Sequence, residues 1–346
     1  MNRQASNAGR IIYPIVWLAL SSLAVALAAQ NQPAPITPAL DQSASLPSPA
    51  APTASVRRAL ILCGLPGDAP HRKEFADSLE LLYAGLTLHH GFAAENVVLH
   101  WADEPTPMDG PAVKSSRGVL TRESLAATAQ TLAGQVQPDD TLWVFVFGHT
   151  HYDGRYSWLN IAGPDLNQTE FAKLFSPVRC REQAFFITTS ASGFYQKALG
   201  QPGRIVITAT EPDLEVNETF FAHKLARALG PTPPTYGELD IDRDWRLTLV
   251  DVYLWTARET AKEYLPNMLL ATEHSLLDDT GDGRGTELQA NYLPEELGGK
   301  LKAADKLPAP PIGDGALTRT IVLDFPPSPP VPPDLEADLG QIRSGK

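Results

Sequence analysis

The sequence predicts an α/β protein built on a mainly parallel sheet with helices on both faces. Three observations lead there: short apolar runs recur along the chain, helix-spaced segments separate them, and the runs themselves do not alternate apolar with polar residues. Strands apolar at every position are those covered on both sheet faces, and alternation of strand with helix is the signature of a layered α/β structure.

The elements follow in order. Arg58 to Cys63 (RALILC) reads as the first strand, ended by Gly64, Pro66 and Gly67. Phe75, Leu79, Leu82 and Leu86 then recur at helical spacing, and Asn96 to Leu99 is the second strand. Thr121 is placed to cap a helix reaching Gln135, with Leu125 and Leu132 on one face. Leu142 to Phe147 is the third strand. Tyr156 to Ile161 reads as a small hairpin, and Asn167 with Glu170 three residues later opens a helix through a capping box. Ala184 to Thr188 and Arg204 to Ala209 are the fourth and fifth strands, and Asn217 is read as the cap of a helix to Leu229. No internal repeat is visible.

The organisation outside this core is set by composition. Residues 1–28 carry Arg3 and Arg10, no acid, a nearly unbroken apolar run from Ile11, and the small-x-small pattern at Ala26 to Ala28. That succession reads as a secretory signal peptide. An uncleaved signal anchor is the rival, since the run approaches the roughly 20 residues a spanning helix needs. Either way the remainder is expected outside the cytoplasm, periplasmic, extracellular or membrane-anchored, and the membrane is touched only through that segment. Residues 29–55 form a Pro/Ala/Ser-rich linker and residues 301–346 a Pro-rich tail, leaving 56–300 as the folded domain.

The formal net charge is −12, with no dense Lys/Arg cluster, so nucleic acid is not an expected partner. Cys63 and Cys180 fall at opposite ends of a parallel sheet, and no disulfide is expected between them. No organic cofactor is expected.

In folds of this class sites gather outside the carboxyl ends of strands. Two such ends are chemically unusual. Gly148-His149-Thr150-His151 follows the third strand, and Thr188-Thr189-Ser190-Ala191-Ser192-Gly193 follows the fourth. A metal reading of H-x-H-x-D lacks companion ligands, and alternate strand residues point to opposite faces. A plain polar loop accounts for His151. The pairing of the two ends resembles the caspase-like peptidases, which include legumain and gingipain relatives. FVFGHTHYDG is similar to that family's histidine block, FFITTSASGF to its nucleophile block, and GRIVITATE to the segment after its fifth strand; the likeness spans Arg58 to Leu229.

The resemblance implies a three-layer caspase-like fold, a polypeptide substrate or ligand, and a site in which His149 handles the proton. Ser190 then stands where the family has cysteine, Ser192 on its serine, and Thr150 on the glycine after the histidine. A thiol ionises beside a histidine with little help, whereas a serine hydroxyl needs a base oriented by a third group. Asp153 is the carboxylate available for that role. Peptide-bond hydrolysis is therefore expected to be weak or lost, as in a pseudoenzyme; the alternative is a non-catalytic polypeptide-binding or scaffolding module.

Two acidic loops remain. Asp240, Asp242, Asp244, Arg246, Thr248 and Asp251 occupy the first, third, fifth, seventh, ninth and twelfth positions of an EF-hand-like loop, the seventh acting through its carbonyl. Trp245 replaces the turn glycine and Asp251 the longer Glu. The second loop, 278–286, keeps its glycine but has Gln289 at the twelfth position. A structural Ca²⁺ is expected at the first and less support exists for the second.

Overall fold

In the computed structural model of the chain, the described residues are 55–101, 107–213, 215–264, 271–292 and 313–325. The signal segment 1–28, nearly all of the 29–55 linker, and most of the 301–346 tail lie outside them. Among the described residues no helix is long and apolar enough to cross a membrane.

Strand β1 (Arg57–Cys63) is followed by helix α1 (Ala69–Leu88), β2 (Val97–Trp101), a short β3 (Ser116–Val119), helix α2 (Arg122–Gln135) and β4 (Thr141–Phe147). Three short strands come next, β5 (Thr150–Tyr152), β6 (Ser157–Leu159) and β7 (Leu166–Asn167), then helix α3 (Gln168–Phe175). The chain continues through β8 (Glu182–Ile187), α4 (Phe194–Leu199), β9 (Arg204–Thr208), α5 (Phe221–Ala228), α6 (Tyr236–Leu239), α7 (Leu249–Tyr264) and β10 (Leu276–Asp278).

The main sheet runs β10–β9–β8–β4–β1–β2–β3, and β5, β6 and β7 form a separate three-stranded antiparallel sheet. All neighbours in the main sheet are parallel except β9 and β10. Successive residues of a strand point to opposite faces, and both faces are covered here. Ile61, Phe145, Phe186 and Ile207 pack toward Leu79 of α1, Leu225 of α5 and Tyr253 of α7. Leu62, Val144, Phe185 and Val206 pack toward Leu125 of α2, Phe171 of α3 and Tyr195 of α4. The Phe145 and Phe186 rings stack at 4.5 Å between centroids. This is the three-layer α/β architecture with a mainly parallel central sheet that the apolar runs predict.

Local chemistry explains most element starts. Asp68 accepts from His71 N to cap α1, Thr121 and Ser124 form a reciprocal cap on α2, and Asn167 with Glu170 form the capping box of α3. Asn217 does not cap α5, which begins four residues later. Glu273 does so instead, accepting from Phe220 N at 2.8 Å and Phe221 N at 3.0 Å. Strands β3, β5, β7 and β10 escape the sequence reading, because β3 and β10 are short edge strands of the main sheet and β5 and β7 have three and two residues; the hairpin expected over Tyr156 to Ile161 instead pairs β5 with β6, Tyr152 opposite Ser157.

The expected domain end at residue 300 also falls short. Residues 313–325 belong to the folded body: Ile321 and Leu323 join the core, Leu249 N donates to Ile321 O and Leu323 N to Leu247 O, both at 2.9 Å. The T-I-V-L-D stretch is a strand-like apolar island inside proline-rich sequence, so composition averaged over the tail conceals it. Cys63 closes β1 and Cys180 precedes β8; both thiols are free, and burial pushes that of Cys63 far up.

Candidate functional site at the strand ends

β4 and β8 are neighbours, with Val146 opposite Ile187, so the loops after them emerge side by side. After Phe147 the chain turns through Gly148 at φ +114°, where an added Cβ would lie 2.8 Å from Gly64 N. Only glycine fits that approach of the loop following β1. Gly64 N donates to Phe147 O at 2.9 Å, which fixes the two loops together.

His149 therefore stands over the end of β1. Its Nε2 lies 3.1 Å from Pro66 O. A carbonyl only accepts, so Nε2 carries the proton and Nδ1 is the basic nitrogen. The ring packs against Phe75 at 5.4 Å and edge-on to His71 at 5.3 Å. His71 Nδ1 lies 2.7 Å from Asp68 Oδ1, and its Nε2 pairs with Glu218. One ring nitrogen of each histidine and a Glu218 oxygen come within 4.8 Å of one another. Sequence reasoning missed His71 and Glu218. The available signal was their position: both follow carboxyl ends of core strands.

Ser190 occupies the turn after β8 and is 4% exposed. Its Oγ donates to Thr150 O at 2.9 Å, while the Thr150 hydroxyl donates to Ser190 O. The following residue, Ala191, has φ +45°, a left-handed conformation uncommon outside glycine, and its N–H donates to Glu215 O at 2.8 Å. Ser192 Oγ is bound to Thr210, accepting from Thr210 N at 3.0 Å. The structure thus brings His149 and Ser190 to adjacent strand ends but directs the hydroxyl to Thr150 and the Nε2 face of the ring to Pro66. No hydrogen bond joins His149 and Ser190 among the described residues.

Asp153 is not at this site. Its carboxylate closes the β5–β6 turn, accepting from Tyr156 N at 2.7 Å, Trp158 Nε1 at 2.7 Å and Arg155 N at 2.8 Å, and these donors hold it below the usual carboxylate range. His151 is exposed and lies within β5, opposite Trp158, rather than in the plain polar loop expected; its Nδ1 lies 2.8 Å from Asn160 Oδ1.

Behind the Ser190 turn, Glu215 is buried and pairs with His274, whose N also donates to Glu215 Oε2 at 3.0 Å. The side-chain hydrogen bond between His274 Nδ1 and Glu215 Oε1, acting against burial, raises the imidazole to about 9. A cavity of about 990 Å³ lies beside the turn, lined by Gln168, Lys173, Phe194, Lys197, Glu211 and Arg284 among others; His149, Ser190 and Asp153 do not line it.

In the first acidic loop, Asp240, Asp242 and Asp251 are buried, and one oxygen of each lies within 4.8 Å of the others. Asp244 is not one of the three: it accepts from Arg246 N at 2.9 Å and lies 3.5 Å from Arg319 Nη1, which also pairs with Asp242. Thr248 N and Oγ1 both donate to Asp251 Oδ2, at 2.9 and 2.8 Å. Trp245 takes φ +64° at the position where a calcium loop has glycine, so the turn is kept without that residue. In the second loop the carboxylates serve the backbone. Asp278 accepts from Gly281 N and Gly283 N, and Asp279 from Gly315 N and Thr318 N.

No protein-family model matches the chain, and no curated protein does. Among solved structures the chain is similar to the Drosophila initiator caspase Dronc, at 10% sequence identity over 66% of this chain and 81% of that one, with a TM-score of 0.39.

Proposed function

We propose that this is an exported protein of caspase-like fold whose strand-end site has weak or no peptide-bond hydrolysis. The observation that carries the reading is the state of Ser190: it sits where a nucleophile would be, yet its hydroxyl is buried and spent on Thr150 O. An alcohol attacks only when a base removes its proton, and that base must reach it. The basic nitrogen assigned to His149 is Nδ1, and neither Asp153 nor another carboxylate bonds to this ring among the described residues. Ala191 N–H, a neighbouring donor that could otherwise hold an oxyanion, is committed to Glu215 O.

The test is Ser190→Cys. A thiol ionises beside an imidazole more readily than an alcohol, so this variant gains reactivity toward alkylating and acyl probes, and the gain disappears in His149→Ala. Absence of any His149-dependent reaction would show that the two strand ends do not form a site. Efficient cleavage of a mixed peptide library by the wild type would overturn the reading in the other direction. Export is tested separately by mass spectrometry of the mature N-terminus: cleavage near Ala28 supports a signal peptide, retained Met1 in membranes a signal anchor, and a cytoplasmic protein removes the proposal of export.

A second reading, a non-catalytic polypeptide-binding or scaffolding module, is favoured by the cavity of about 990 Å³ beside the turn. Its mixed lining of Lys173, Lys197, Glu211 and Phe194 suits a peptide carrying charge and apolar side chains.

A further inference from the structure

The loop between α6 and α7 buries three carboxylates together. Asp240 is 7% exposed, Asp242 6% and Asp251 1%. Like charges so placed repel one another, and burial removes the water that would screen them. Asp242 has a counter-charge in Arg319, whose Nη1 lies 2.8 Å from its Oδ2. Among the described residues neither Asp240 nor Asp251 has an ion pair. The second observation is atomic: Asp240 Oδ1 is fully buried and has no hydrogen-bond partner among the described residues. A carboxyl oxygen left bare at that depth calls for a ligand.

We propose that Asp240, Asp242 and Asp251 bind one calcium ion, which ties the 240–251 loop to the start of α7 and to the 313–325 segment. The donor set is all oxygen, which suits a hard cation. The three residues stand at the first, third and twelfth positions of the loop, and each carboxylate keeps a free lone pair: among the described residues Asp240 Oδ1 has no partner, Asp242 Oδ1 accepts only from Asp244 N, and Asp251 Oδ1 only from Ile241 N. Arg319 joins the cluster to the 313–325 segment through Asp242, and Asp279 joins the same segment through Thr318. The ion therefore completes a charge cluster that spans three parts of the chain. Magnesium fits less well, since it demands near-ideal octahedral geometry and holds its water tightly.

The experiment uses the full chain after treatment with chelator. Titration with calcium chloride is expected to show one bound equivalent, in the range of about 10⁻⁴ to 10⁻³ M usual for extracellular modules. Melting temperature rises with calcium by mass action and is set back by chelator. Terbium added alone should luminesce through Trp245, which lies in the loop, and calcium should quench it by displacement. Asp240→Asn keeps the shape and removes one charge; it weakens calcium binding by more than about 100-fold. Asp282→Asn, at an exposed position of the second loop, leaves binding unchanged. Wild-type protein that takes up no calcium at millimolar concentration, and melts identically in calcium and chelator, overturns the proposal. So does an Asp240→Asn variant that binds as the wild type does. None of these readouts depends on peptide hydrolysis or on Ser190.

Discussion

Thr150 and Ser190 are joined by two hydrogen bonds across the ends of β4 and β8: Ser190 Oγ donates to Thr150 O at 2.9 Å, and the Thr150 hydroxyl donates to the Ser190 carbonyl. The pair links the segment after β4 to the turn after β8. Ser190 is by this geometry a cross-brace.

Ser190→Ala is accordingly expected to lower stability by about 1 kcal/mol, the net worth of one buried hydrogen bond. Thr150→Val is expected to cost a similar amount. The double variant should cost less than the sum, because both changes break the same brace. Urea unfolding of the four proteins measures this. Full additivity would deny the coupling.

Gly148→Ala is expected to cost about 3 kcal/mol or more, since the methyl group combines a left-handed backbone with a 2.8 Å approach to Gly64 N. Gly154→Ala makes a useful contrast. Its φ is +92° but nothing lies within 4 Å of an added Cβ, so only the backbone penalty of about 1 kcal/mol applies. Equal losses would mean that the β1 and β4 loops do not press on each other.

His274 provides a pH dependence with a definite sign. Its hydrogen bond with Glu215 raises the imidazole from 6.5 to about 9 in the folded chain. A raised histidine stabilises fully below its unfolded value and loses that contribution as pH climbs through the folded one. The melting-temperature difference between wild type and His274→Gln should therefore shrink from pH about 6.5 to about 9. A difference that stays constant, or grows, over this window contradicts the pairing.

Glu273→Ala should cost about 1–3 kcal/mol, because it strands the Phe220 and Phe221 N–H groups and the Tyr264 hydroxyl, which donates to Glu273 at 2.7 Å. Glu273→Gln should cost less, as the amide oxygen still accepts. Thermal unfolding near neutral pH compares them; the reverse order would rule out Glu273 as the cap of α5.

The core strands were legible because burial on both faces leaves only apolar residues, as in Leu142 to Phe147. The α3 capping box was legible because Asn167 and Glu170 are three residues apart. Legibility ends where the partner is remote. Glu273 caps a helix more than fifty residues earlier in the chain, and nothing near Asn217 announces that its polar side chain is passed over. The same holds at the site. TTSASG shows a serine at a strand end, but its orientation depends on Thr150 O, forty residues away, and that of His149 on Pro66 O, eighty-three residues away. Asp153 was a reasonable nominee by proximity in sequence. The β5–β6 turn offered it three N–H donors nearer at hand, and the turn took it.

Residues 313–325 add Ile321 and Leu323 to a core whose first strand in the chain, β1, begins at Arg57. The first-made and last-made described parts of the domain are thus mutually dependent, which sets a schedule on synthesis. While the chain emerges from the ribosome, β1, β2 and β4 are available early, but α7 lacks its cover and Asp242 its guanidinium until Arg319 has been added. Chains cut short before Arg319 are incomplete at their centre as well as at their edge, which marks them as substrates for quality-control proteases.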